Sequence, residues 1–171
     1  VVIGGPLATH SADIVLQNTF ADICVIGQGE STLVEIANNL KNVSAVKGIA
    51  FKGRDNRVIK NAAAAVIPLD ELPWPAYDIM RMEDYIWNSA SADMDSRRRF
   101  KKGIRIMQMI TGRGCPMGCR FCSKVMGRDF MFRSVDGIID EIKFFIDKYA
   151  VNGISFRDEL YMINKKLAYE L

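Results

Sequence analysis

The chain has 171 residues, 49% of them hydrophobic and 25% charged, with a formal net charge of +3. That composition is ordinary for a globular protein and excludes a disordered chain or a fibrous repeat, while the charge is too small to argue for nucleic acid by itself. No apolar run approaches the ~18 residues of a membrane-spanning helix, and Arg105 and Gln108 interrupt even the run from Ile104 to Ile110.

In chain order, VVIGG at 1–5 reads as a short buried strand entering a glycine turn. SADIVLQNTF reads as a short helix with Ser11 as its cap, and DICVIG at 22–27 as a second strand with Cys24 inside it. GQGES then leads into a helix over TLVEIANNLK, where Thr32 and Glu35 have capping-box spacing and Val34, Ile36, Ala37 and Leu40 supply an apolar face. Strand, glycine turn and helix in this order predict an α/β unit with a parallel sheet. GIAFKGRDNRVIKN predicts a hairpin around Arg54, Asp55 and Asn56.

The texture then changes. Pro68, Pro73 and Pro75 fall within eight residues, disfavouring both a helix interior and a central strand. From Arg97 to Arg105 there are six positive charges in nine residues. A solvated connector is the plain reading of that run, and a strip facing an anionic substrate or nucleic acid is the other. The last third is strongly patterned. Residues 104–110 predict a strand, and RSVDGIIDEIKFFIDKY a helix capped by Ser134, with Val135, Ile138, Ile139, Ile142, Phe145, Ile146 and Tyr149 at helical period. VNGISFRDEL predicts a turn and a further strand, completing a βαβ crossover. TGRGCPMGCRFC is the loop after the first of these strands, the place where such architectures carry their chemistry.

Three of the four cysteines, Cys115, Cys119 and Cys122, fall within eight residues, whereas Cys24 sits mid-strand as a small core residue. Clustered thiols in an ordinary composition point to a metal site in a reducing compartment, so the cytoplasm is expected. Thiolates suit zinc, copper(I) and iron–sulfur clusters. Structural zinc wants four ligands, and the sole histidine, His10, lies far away in sequence. A [4Fe–4S] cluster held by three cysteines leaves one iron open to a substrate or cofactor, and Gly112, Gly114 and Gly118 let backbone wrap closely around it. Gly4-Gly5 and Gly27-Gln28-Gly29 allow close approach of a ligand at strand ends, the second pair at the start of a helix; a tight turn with no ligand is the plainer alternative.

TGRGCPMGCRFC resembles the cluster loop of the radical S-adenosylmethionine (SAM) superfamily, with Phe121 as its aromatic. GGPLATH, DICVIGQGEST and DELPWPAYD resemble the cobalamin-binding group within it, although Leu7 stands where a histidine is common and Gln28 where a glutamate is. The resemblance implies Cys115, Cys119 and Cys122 as ligands of a [4Fe–4S] cluster, SAM on the fourth iron, and Phe121 beside the adenine. It also implies SAM contacts from Asp158 and Glu159 at a strand end, and a cobalamin site among Gly4, Gly5, Gly27, Gly29, Glu30 and Thr32. The fold class expected is α/β. Residues 1–67 would be the C-terminal part of a Rossmann-like B12-binding domain, 68–103 a Pro-rich and basic linker, and 104–171 the first βαβ unit of a radical SAM (β/α) partial barrel. Since a whole barrel takes ~200 residues or more, the chain is expected to be a fragment that spans a domain junction and is inactive alone.

The activity implied is reductive cleavage of SAM to a 5′-deoxyadenosyl radical, followed by methyl transfer through cobalamin or by ring formation. The partners would be a small-molecule substrate and an electron donor such as flavodoxin or ferredoxin. A cobalamin-independent radical SAM enzyme modifying RNA, and a non-enzymatic iron–sulfur or zinc module, remain as alternatives.

Overall fold

The computed structural model describes residues 1–86, 103–124 and 126–171. Most of the basic run, residues 97–102, lies outside the described residues. The chain divides into two compact units, Val1–Ile67 with Gly114–Asp129, and Pro68–Arg113 with Phe130–Leu171.

The first unit is built on a four-stranded sheet in the order β1 (Val2–Ile3), β2 (Ile23–Val25), β3 (Ile49–Lys52) and β4 (Val58–Lys60). β1 and β2 are parallel, whereas β2–β3 and β3–β4 are antiparallel. Helix α1 (Pro6–Asn18) makes the crossover between the parallel pair, and α2 (Glu30–Asn38) follows β2. Successive strand residues point to opposite faces, so the two helices can cover one face each. Cys24 and Ala50 pack against Ala8, Ala12, Val15 and Leu16 of α1, while Ile23, Val25 and Ile49 pack against Ile36 of α2. The small residues on the first face let α1 lie close to the strands.

Helix α1 begins at Pro6 rather than at Ser11. Proline fits the first helical position because its φ is pre-set and the amide it lacks would be unpaired there. Ser11 is not a cap: its φ of −134° and ψ of 37° kink the helix. The expected capping box in α2 does not form either. Gly29 is the N-cap and no side chain caps the helix, so Thr32 falls at the third helical position and turns inward. Thr32 and Ile36 form the buried stripe; Val34 and Leu40, expected in it, are exposed. The hairpin forms as expected, with Asn56 at φ 63° and the Gly53 amide donating to the Arg57 carbonyl at 2.8 Å.

The second unit contains the expected βαβ crossover. β5 (Ile106–Met109) and β8 (Gly153–Phe156) pair in parallel around α3 (Val135–Tyr149). Ser134 caps α3 by accepting from the Gly137 amide at 3.1 Å. At the other end Ala150 takes a left-handed conformation, and Arg105 Nε and Nη2 donate to the Tyr149 carbonyl at 3.0 and 2.9 Å. A cation placed there also complements the helix dipole. A short helix, α4 (Lys165–Glu170), follows β8, with the Asn164 side chain accepting from the Leu167 amide.

Residues 68–86, expected as the first part of a Pro-rich and basic linker, pack within the second unit. Tyr77, Met82 and Ile86 are buried with Met107, Phe145 and Val151 in one cluster, and Asp70 accepts from the Ser134 amide at 2.8 Å. The prolines exclude regular structure there, yet three apolar side chains still fill the space beside α3. Among the described residues no helix is long and apolar enough to cross a membrane.

Candidate functional site

The cysteine loop leaves the carboxyl end of β5 through β6 (Gly112–Arg113) and returns through β7 (Met131–Phe132), which pair antiparallel. This small ladder was not expected from the sequence. It requires a glycine at 112: a Cβ there would stand 2.8 Å from the Met131 carbonyl oxygen and 3.2 Å from the Phe130 and Phe132 rings. Gly114 then turns at φ 92°, a backbone region open chiefly to glycine. The Cys115 amide donates to the Gly127 carbonyl at 3.2 Å, and the Cys122 amide to the Cys119 carbonyl at 3.4 Å.

All three loop cysteines are free thiols; Cys115 is half-buried, Cys119 and Cys122 exposed. Among the described residues no three cysteine, histidine, aspartate or glutamate side chains converge closely enough to hold a metal ion. Phe121 is 93% exposed. The donor set nonetheless fits a soft metal or an iron–sulfur cluster in chemistry. A Cβ at Gly118 or Gly127 would meet nothing within 4 Å, which leaves space beside the backbone.

Asp158, just beyond β8, is half-buried and already engaged. Its Oδ1 accepts from the Thr111 and Gly112 amides at 2.6 and 2.8 Å, and its Oδ2 from Thr111 Oγ1 at 2.7 Å. Glu159 beside it is exposed. In the orientation that satisfies both groups, the Gln108 amide oxygen accepts from Arg157 Nη2 at 2.9 Å.

A buried charged group missed by the sequence reading supports the same strand ends. Glu141 is 2% exposed on the apolar side of α3. It accepts from the Tyr77 hydroxyl at 2.6 Å and is paired with Arg133, whose Nη2 donates to the Gly137 carbonyl at 3.1 Å. The Arg133 amide donates to the Thr111 carbonyl at 2.9 Å, tying the loop's return to its departure. Burial, and then the hydrogen bond to Glu141, push the Tyr77 phenol above its ordinary range. The signal was in the sequence: a glutamate three residues after Ile138 and four before Phe145 stands in phase with the apolar stripe.

The glycine turns lie in the first unit, at the carboxyl ends of the parallel strands β1 and β2, where open α/β sheets bind ligands. Gly5 and Gly27 have φ of 86° and 76°, and a Cβ at either would meet nothing within 4 Å. The Gly27 amide donates to Thr9 Oγ1 at 3.1 Å, joining one turn to the other. A Cβ added at Gly4 or Gly29 would stand 3.9 or 3.4 Å from Val25 side-chain atoms. Glu30 is exposed in the first turn of α2. Thr32 is 1% exposed and buried beneath the helix; its Oγ1 has no hydrogen-bond partner among the described residues and lies 3.0 Å from where a Cβ of Gly48 would be. Both turns thus leave open space beside the backbone, with Thr32 buried nearby under α2.

An uncharacterised methyltransferase of Pyrococcus horikoshii is 29% identical over 177 residues, covering 100% of this chain and 36% of that protein. The anaerobic magnesium-protoporphyrin IX monomethyl ester cyclase of Cereibacter sphaeroides is 30% identical over 173 residues, covering 96% of this chain and 26% of the cyclase. The fold matches the cobalamin-dependent S-adenosylmethionine radical enzyme OxsB with a TM-score of 0.67 at 18% identity, over 99% of this chain and 22% of OxsB. The chain thus shares its fold with a cobalamin-dependent radical SAM enzyme. The radical SAM methyltransferase TsrM from Kitasatospora setae also matches in fold, with a TM-score of 0.68 at 16% identity, over 98% of this chain and 31% of TsrM. No family model matches the chain. The similarity runs along nearly the whole chain, which spans about a quarter to a third of the two curated relatives.

Proposed function

We propose that this chain carries the junction of a cobalamin-dependent radical SAM enzyme that performs methyl transfer or ring formation on a small molecule. Residues 1–67 would be the C-terminal part of the cobalamin-binding domain, and 104–171 the first βαβ unit of the radical SAM barrel. The observation that carries this reading is the loop of three free thiols leaving the carboxyl end of a parallel βαβ strand. When bound, a [4Fe–4S] cluster with one open iron supplies the electron that cleaves the SAM sulfonium.

Cys115, Cys119 and Cys122 would hold that cluster. Their open arrangement is one that metal binding itself draws together, since ligand sites of this kind form with the metal rather than before it. Gly114 and Gly127, both at positive φ, let the loop double back around a bulky group. Phe121, exposed beside Cys122, is placed in sequence to cover the group once the thiols converge. Gly5 and Gly27 would let a corrin ring approach the backbone, with the start of α2 and Glu30 at its edge. Reduction of the cluster requires a donor such as flavodoxin or ferredoxin, and the clustered thiols suit a reducing cytoplasm.

The test is anaerobic reconstitution of the full-length protein with iron, sulfide and hydroxocobalamin. Under dithionite and SAM the expected result is 5′-deoxyadenosine, detected by mass spectrometry, together with corrin absorbance that survives gel filtration. Absence of deoxyadenosine from cluster-loaded protein contradicts the radical reading; absence of retained corrin contradicts the cobalamin reading alone.

A further inference from the structure

Among the described residues, Asp158 spends three acceptor positions on the end of one strand. The Thr111 and Gly112 amides and the Thr111 hydroxyl all donate to it, at 2.6, 2.8 and 2.7 Å. Hydrogen bonds to an ionised carboxylate are the strong, short kind. Thr111 is 1% exposed, and its carbonyl accepts from the Arg133 amide at 2.9 Å. Gly112 has no room for a side chain on its β7 side, where the Met131 carbonyl oxygen would stand 2.8 Å from a Cβ. Residues 111–112 are therefore held from two sides, by Asp158 and by β7. Cys115 follows Gly112 by three positions.

We propose that Asp158 is a positioning residue: it fixes the strand end from which the cysteine loop departs, rather than contacting SAM. The inference rests on the cluster reading of Cys115, Cys119 and Cys122. It divides the neighbouring carboxylates by environment. Asp158 is committed to backbone, while Glu159 is exposed and is the one available to a ligand. Outer partners of this kind typically change metal affinity or activity ~10- to 100-fold when removed. Here the effect passes through the backbone of the strand end, so the cluster's own spectrum reports it before any SAM is added.

The experiment compares wild-type full-length holoenzyme with Asp158→Asn, Thr111→Val, Thr111→Ser and Glu159→Gln. Cluster loading, the electron paramagnetic resonance spectrum of the dithionite-reduced cluster with and without SAM, and KM for SAM are measured, with circular dichroism to check folding. Asp158→Asn is expected to alter the SAM-free spectrum and to weaken cluster retention against a chelator by ~10-fold or more. Thr111→Val, which removes one of the three donors, should shift the spectrum the same way by less, and Thr111→Ser should restore it. Glu159→Gln should leave the SAM-free spectrum as in wild type. If Asp158→Asn does not fold, the Thr111 pair decides the matter. A wild-type SAM-free spectrum in Asp158→Asn and Thr111→Val overturns the proposal, and a raised KM for SAM with that spectrum unchanged makes Asp158 a SAM contact instead. A wild-type protein that takes up no cluster overturns the cluster reading itself, and this proposal with it.

Discussion

Tyr77→Phe isolates the buried hydrogen bond that ties the proline-rich segment to α3. The substitution keeps the ring, which packs on Phe145 at a centroid distance of 5.0 Å and on Phe144 at 5.9 Å. It removes only the hydroxyl that donates to Glu141 Oε1 at 2.6 Å. A hydrogen bond to a charged group contributes about 1.5–3 kcal/mol, and the 8% exposure of Tyr77 leaves little water to replace it. The expected loss is therefore about 1.5–3 kcal/mol, or a fall in Tm of about 3–12 °C for a chain of this size. Glu141→Gln should cost more, about 3–5 kcal/mol, because it leaves the Arg133 guanidinium, only 14% exposed, without its counter-charge. Urea unfolding followed by tryptophan fluorescence gives both values, and the double variant gives the coupling between the two groups. The loss in Tyr77→Phe should also have a pH signature. The folded state holds the phenol protonated above its ordinary value near 10, so ionisation favours the unfolded chain and stability falls as pH rises past that value. Tyr77→Phe should lose that part of the alkaline slope. A variant within about 0.5 kcal/mol of wild type at neutral pH, with the same alkaline slope, would refute the reasoning.

Gly48→Ala should destabilise the first unit by about 2–4 kcal/mol in urea unfolding. Gly48 has φ 71°, and an added Cβ would meet the Ala64 Cβ at 2.8 Å; a neutral effect would contradict that crowding. Ala150→Gly, at a left-handed φ of 51° ending α3, should stabilise by about 0.5–1 kcal/mol, and a loss would show that the Ala150 methyl packs usefully. In cluster-free protein, iodoacetamide followed by peptide mapping should label Cys119 and Cys122 first and Cys24 only on unfolding. Cys24 is fully buried and burial pushes its thiol pKa up; comparable native labelling of Cys24 would place it outside the core.

What the sequence made legible depended on whether a feature was local. The capped helix after Ser134, the βαβ crossover and the hairpin at Asn56 each have their signal within a few residues, and each forms. The start of α2 was misplaced because Thr32 and Glu35 satisfy the capping pattern, whereas packing on the sheet draws Thr32 inward and moves the cap to Gly29. The β6–β7 ladder joins residues 112 and 132, across a loop whose composition gives no strand signal. The roles of Tyr77 and Asp158 rest on partners 46 to 64 positions away, which no periodicity records. At the site, residue type and spacing were readable from the chain alone. The commitment of Asp158 to backbone amides needed coordinates.

The central claim is that Cys115, Cys119 and Cys122 together hold one iron–sulfur cluster. Its most direct measurement is the iron and sulfide content of anaerobically reconstituted full-length protein, taken beside the three single variants Cys115→Ala, Cys119→Ala and Cys122→Ala. The expected result is the composition of one [4Fe–4S] cluster at this loop in wild type, with its visible absorbance, and loss of that cluster in each variant. Zinc in tetrahedral thiolate coordination in the wild type, or a cluster retained in all three variants, would contradict the account.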